Sequence, residues 1–201
     1  MVSIILQAGG ASTRMGEDKA LRPFLGTPLI ARIRDRFKTL GEETLVITNQ
    51  ISGYHFLDLP LYQDILPGRG ALGGLYTALQ IANQPFAAVI AADLPFASPE
   101  LVEEMLEIIQ HNPVDAVLPS TKEGLEPYHA VYRCHSCLPL VKEALDHDRW
   151  KMTSWHDAAD IQVLDPQETC RMTGSPWTFM NVNTPEEFNA AENLAFHHPE
   201  L

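Results

Sequence analysis

Short apolar runs alternate with longer amphipathic segments along nearly the whole chain of 201 residues, and no other feature constrains the fold as much. Ile4-Ile5-Leu6 reads as a buried strand, and a helix follows from about Pro28 to Leu40, with Leu29, Ile30, Ile33 and Phe37 on one face. Thr44–Thr48 is a second strand, Leu61-Tyr62 a short one ending at Asp64, and a helix is expected near Leu72 to Asn83. Ala87–Ala91 is a small-residue buried strand leading to Asp93. Ser98-Pro99-Glu100 starts a helix to about Gln110, with proline at the first helical position. Ala116–Leu118 and Tyr128–Tyr132 read as further strands, Ser136–Leu145 as a helix, and Ile161–Leu164 and Phe179–Asn181 as short strands. Thr184-Pro185-Glu186-Glu187 caps a last helix in which Phe188 and Leu194 dock, and the tail from His197 is expected to fray. Neither a repeat nor a linker breaks the pattern, so residues 1–201 are expected to form one domain. The pattern implies a three-layer α/β/α sandwich, a Rossmann-like and mostly parallel sheet with helices on both faces. Ligands of such sheets sit at the carboxyl ends of the strands, which gathers Gly9, Asn49, Asp64, Asp93 and Asn183 along one edge.

The first strand empties into Ala8-Gly9-Gly10-Ala11-Ser12 and then Arg14, Met15, Gly16, Asp18 and Lys19. Glycines after a strand let backbone N–H groups approach a phosphate, and Arg14 and Lys19 supply neutralising charge. The loop is therefore expected to hold a nucleoside triphosphate. It is not a Walker loop, because Ala20 follows Lys19 where Ser or Thr belongs. Nor is it a dinucleotide-binding loop: the glycines are adjacent, and the second strand ends at Asn49-Gln50 without a carboxylate.

The formal net charge is −12 with no Lys/Arg cluster, which argues against nucleic acid as a partner. A polyanionic substrate then needs a local exception, supplied by Arg14, Lys19 and Arg22 and by a divalent cation. No apolar run approaches the roughly 20 residues that cross a bilayer, and Met1-Val2-Ser3 leads straight into the first strand, so a cytoplasmic protein without membrane contact is expected. Cys134-His135-Ser136-Cys137 has the spacing of half a zinc site but lacks a second half, and reads as two reduced thiols in the first turn of a helix.

Asp93, at a strand end and before Leu94-Pro95, is placed to bind Mg²⁺ together with phosphate oxygens. Asp64 precedes a second glycine-rich stretch, Gly68-Arg69-Gly70-Ala71-Leu72-Gly73-Gly74, which reads either as a loop enclosing a base or as a tightly packed helix start. Asn181 and Asn183 share one face of an extended segment and offer amide oxygens to a metal or to an acceptor substrate. No nucleophile–histidine pair is suggested.

These motifs, taken together and in order, resemble the nucleotidyltransferases of the molybdenum cofactor branch, of the guanylyltransferase (MobA) type. The pieces are LQAGGASTRMGEDKAL, GRGALGGL, Ala92-Asp93-Leu94-Pro95, Glu126-Pro127 and Asn181-Val182-Asn183-Thr184-Pro185-Glu186-Glu187. The chain departs from the family pattern at Gln7 and Tyr128, each standing for a usual leucine, and at Arg69-Gly70-Ala71. The resemblance implies a nucleotide-diphospho-sugar-transferase-like fold. It implies transfer of GMP from GTP to the terminal phosphate of molybdopterin, with Mg²⁺ as cofactor and pyrophosphate released. By position, Gln7, Ala8, Gly9, Gly10, Ser12, Lys19, Asn49, Asp64 and Asp93 would bind GTP. Arg14, Lys19 and Asp93 would carry catalysis, Asp93 and Asn183 the metal, and Glu126, Asn181 and Asn183 the acceptor. Molybdoenzyme-maturation proteins are the implied macromolecular partners. The alternatives are a relative that uses CTP on molybdopterin or activates a sugar phosphate or phospho-acid, and a non-catalytic nucleotide-binding regulator.

Overall fold

β1 (Val2–Gln7) is buried along its whole length, which fits a central strand covered on both faces. The computed structural model describes residues 1–8, 18–199 and 201. Gly9, Gly10, Ser12 and Arg14 lie outside the described residues. From the amino end the elements are β1, a hairpin of β2 (Pro23–Phe24) and β3 (Thr27–Pro28), α1 (Leu29–Phe37), β4 (Glu43–Ile47) and β5 (Leu61–Tyr62). Then come α2 (Gly70–Ile81), β6 (Phe86–Ala91), α3 (Pro99–His111), β7 (Ala116–Pro119), β8 (His129–Arg133) and α4 (Cys134–Asp146). The chain closes with β9 (Ile161–Leu164), α5 (Pro166–Thr173) and α6 (Pro185–His197).

Among the described residues seven strands form one sheet in the order β5-β4-β1-β6-β8-β7-β9. β1, β4, β5 and β6 are mutually parallel, and β9 is parallel to β7. β8 runs against both of its neighbours. Its link to β7 holds no helix, and parallel strands need a crossover longer than that link provides.

The alternation of β1 sorts its side chains between two apolar layers. Val2, Ile4 and Leu6 face Leu29, Ile30, Ile33 and Phe37 of α1, five residues of α3, and Phe188, Ala191 and Ala195 of α6. Ile5 faces the other layer, built from Leu72, Leu75, Ala78 and Leu79 of α2 and Val141, Ala144 and Leu145 of α4. Each such leucine or isoleucine contributes roughly 1.5–3 kcal/mol by leaving water. This is the three-layer α/β/α sandwich expected.

Two local points need correction. Phe179–Asn181 is not a strand: Met180 N–H bonds Trp177 O in a turn (2.9 Å), and Phe179 and Met180 pack on the core without pairing. Of the two readings of the glycine-rich stretch, the helix start holds, because α2 begins at Gly70 and takes in Gly73 and Gly74. The sequence reading also passed over α5, although Asp165 and Glu168 form a full capping box before Pro166 can start the helix. The thiol reading agrees with the structure: Cys134 opens α4 and is free, as is buried Cys137, whose Sγ donates to Asp115 O. Burial pushes the Cys134 thiol up to about 11. Among the described residues no helix is long and apolar enough to cross a membrane.

Candidate active site

The strand ends deliver their polar residues to the carboxyl edge of the sheet in two groups, with Gln7 and Ala8 of the central strand between them. On the β4–β5 side, Asn49 follows β4 and Asp64 follows β5, and the two bond reciprocally. Asn49 Nδ2 donates to Asp64 Oδ2 at 2.9 Å, and Asp64 N–H donates to Asn49 Oδ1 at 3.3 Å. One Asp64 oxygen, Oδ1, is buried without a hydrogen-bond partner among the described residues. Ala8 continues the β1 ladder one step beyond the strand, through its N–H to Ile47 O at 2.8 Å.

On the β6 side stand Lys19, Asp93, Asn183 and Glu126. Asp93 follows β6, and its carbonyl accepts from Val182 N–H at 3.1 Å, which ties the Asn181–Asn183 segment to that strand end. Val182 is fully buried between two exposed asparagines, so the predicted alternation holds even though no strand forms. Lys19 Nζ donates to Asn183 Oδ1 at 2.8 Å. Asn183 is itself fixed, since its N–H and that of Thr184 both donate to Glu187 in the capping box of α6. Asn181 is exposed on the same segment.

Burial pushes the Asp93 carboxyl above its usual range, and the nearby Lys19 ammonium opposes that shift. Glu126, in the β7–β8 connection, is likewise pushed up by burial, against a hydrogen bond from Thr121 and with help from the charges of Glu123 and Asp93. Both carboxylates are thus costlier to ionise in the free protein than exposed ones. Among the described residues no cluster of three or more His, Cys, Asp or Glu side chains is placed to hold a metal alone.

Sequence reasoning missed two features here. Tyr54 is fully buried, and its hydroxyl donates to Asp18 Oδ2 at 2.6 Å while Asp18 Oδ1 caps Ala20 N–H at 3.1 Å. Asp18 thus anchors the short helical turn Lys19–Leu21 and points Lys19 at the edge. No local signal marks a pair 36 residues apart. Arg22, read as a third loop cation, lies over the Phe188 ring at 4.3 Å and reaches Asn189, so it braces α6. Arg69 is similarly engaged, over Trp150 at 4.4 Å and with Asp148 at 2.9 Å.

A three-layer sandwich with a lysine, a carboxylate and an amide at the carboxyl edge of its parallel strands is the framework of a nucleotide-handling transferase. The family model described as "MobA-like NTP transferase domain" matches residues 4–159. The chain belongs to this family. It is 31% identical over 194 residues to the "Probable molybdenum cofactor guanylyltransferase" of Natronomonas pharaonis, covering 93% of this chain and 95% of that protein. It is 29% identical over 192 residues to the "Molybdenum cofactor guanylyltransferase" of Desulfosudis oleivorans, covering 95% and 94%. Among solved structures, the "Molybdopterin-guanine dinucleotide biosynthesis protein A" of Archaeoglobus fulgidus superposes with a TM-score of 0.84. It shares 21% identity and covers 97% of this chain and 99% of that one, a likeness of fold.

Proposed function

We propose that this protein transfers GMP from GTP to the terminal phosphate of molybdopterin, forming the guanine dinucleotide and pyrophosphate. The observation that carries the reading is the meeting of Lys19 with Asn183 beside Asp93, within a family whose curated relatives are named for this activity. An oxygen of the acceptor phosphate attacks the α-phosphorus, and the bond from that phosphorus to the α,β-bridging oxygen breaks. The electron pair leaves with pyrophosphate. The attacking phosphate is already an anion at neutral pH, so no general base is required. Positioning and charge neutralisation then supply the rate.

Lys19 is assigned to the triphosphate, moving off Asn183 when the substrate arrives, and Arg14 of the glycine-rich loop to the same phosphates. Gln7, Ala8, Gly9, Gly10, Ser12, Asn49 and Asp64 are assigned to binding the nucleotide. Asp93 would hold Mg²⁺, joined by Asn183 once Lys19 has left it, and the ion would neutralise charge on the phosphates. Glu126, Asn181 and Asn183 face the acceptor. Calorimetry with GTP, CTP, UTP and ATP, each with Mg²⁺, tests the nucleotide half of the reading. Selective binding of GTP is expected; preference for CTP or UTP would replace guanylyl transfer by another transfer on the same framework.

A further inference from the structure

Gln7 ends β1 on the face that meets α2, and its side chain is only 7% exposed. Its Oε1 is buried and has no hydrogen-bond partner among the described residues. Such an atom is costly to leave unpaired and is commonly satisfied by a ligand or by water. The amide is held in place by an unusually close approach of helix to strand. A Cβ on Gly74 would lie 2.9 Å from Gln7 Nε2, 3.2 Å from its Cδ, and 3.0 Å from the Tyr128 hydroxyl. A side chain at this position would press on both groups. Tyr128, arriving from the start of β8, donates its hydroxyl proton to Ala71 O in the first turn of α2. The hydroxyl is thereby committed as a donor and cannot also protonate the Gln7 oxygen. The nearby guanidinium of Arg69 is held by Asp148 and Trp150.

We propose that Gln7 Oε1 accepts a hydrogen bond from the exocyclic 2-amino group of the bound guanine, with Gly74 and Tyr128 fixing the amide for that contact. This makes Gln7 a specificity-determining residue, and it rests on the guanylyl reading above. An acceptor that selects guanine has to use the 2-amino group, because the N1–H is shared with hypoxanthine. A site built around such a bond rejects the analogue lacking it, since the buried acceptor is then left bare.

The test compares GTP with inosine triphosphate, which differs from it only in lacking the 2-amino group, by calorimetry on the wild-type protein and on Gln7→Leu. The expected result is about tenfold tighter binding of GTP than of inosine triphosphate by the wild type. In Gln7→Leu that ratio falls to near one, chiefly through weaker GTP binding. Equal affinity in the wild type, measured without any variant, overturns the proposal. So does a ratio that Gln7→Leu, folded by circular dichroism, leaves unchanged. Failure of the wild type to bind GTP at all overturns the guanylyl reading and this proposal together. GTP binding without discrimination overturns this one alone.

Discussion

Lys19 and Asn183 stand 164 residues apart in the chain, and their side chains meet at 2.8 Å. The contact joins the first helical turn after β1 to the cap of the last helix, over the end of β6 where Asp93 sits. Each partner is held from behind: Lys19 through Asp18 and Tyr54, Asn183 through Glu187. In the free protein the lysine rests on an amide oxygen. It can exchange that neutral acceptor for phosphate oxygens, a stronger charge-assisted interaction. Lys19→Ala is therefore expected to lower kcat/KM by about 10²–10³, the range seen when one preorganised charge-stabilising donor is removed. The fold, read by circular dichroism, should be unchanged.

Asp93→Asn separates function from stability. Burial raises the Asp93 carboxyl in the folded state. A carboxyl raised in this way stabilises the fold below its unfolded pKa, and the contribution disappears as pH rises through the folded value. At pH 7 the ionised group therefore costs stability. The amide variant should unfold at the same urea concentration as the wild type, or a higher one, while Mg²⁺-dependent turnover falls by at least about 10². Urea titration and a turnover assay on the same preparation check both halves.

Tyr54→Phe removes the donor that fixes Asp18, together with the hydroxyl's hydrogen bond with Thr48. Loss of this buried bond to a charged acceptor should cost about 1.5–3 kcal/mol in urea unfolding. Because Asp18 sets the turn that carries Lys19, the variant should also raise KM for the nucleotide. An unchanged KM would reduce Tyr54 to a packing residue.

His129 predicts how the protein responds to acid. The ring is fully buried against Phe37 and Phe179, its Nε2 accepts from Ser98 N–H at 2.9 Å, and burial lowers its pKa to about 4. An unfolded histidine titrates near 6.5. The stability tied to the neutral ring is therefore complete above that value and is lost as pH falls from about 6.5 to about 4, some 3 kcal/mol in all. Unfolding midpoints measured at pH 7 and pH 4.5 should show the fall, and His129→Gln should flatten it.

Gly74→Ala improves helix propensity by about 1 kcal/mol on general grounds. The added methyl nevertheless meets Gln7 and Tyr128 within 3.0 Å. Nucleotide affinity should drop with little change in Tm, as calorimetry paired with thermal unfolding will show.

What the sequence disclosed follows from how local each signal was. Ser98 before Pro99 announced α3, and the Ser98 Oγ bond to Leu101 N–H is there. β1 and β6 were legible because strands covered on both faces are apolar throughout. The direction of β8 was not legible, since alternation of side chains is the same in parallel and antiparallel strands. α5 buries little beyond Thr169, so it lacks an apolar face, and only its capping box could have revealed it. Phe179 and Met180 read as a strand because they are apolar, yet they serve the core from a turn. At the site, Lys19, Asp93, Asn49, Asp64 and Asn183 were all named from strand ends and motif order. The bonds that pair them, and the part played by Tyr54, depend on tertiary contacts that no sequence window contains.

The central claim is guanylyl transfer, and the most direct measurement follows the α-phosphate. Wild-type protein would be incubated with Mg²⁺, molybdopterin and GTP labelled at the α-phosphorus, and the products separated. The label should enter a molybdopterin dinucleotide with one pyrophosphate released per transfer, at a rate at least about 10²-fold lower in Asp93→Asn. Label that stays in GTP, or transfer only when labelled CTP is supplied, would contradict the claim.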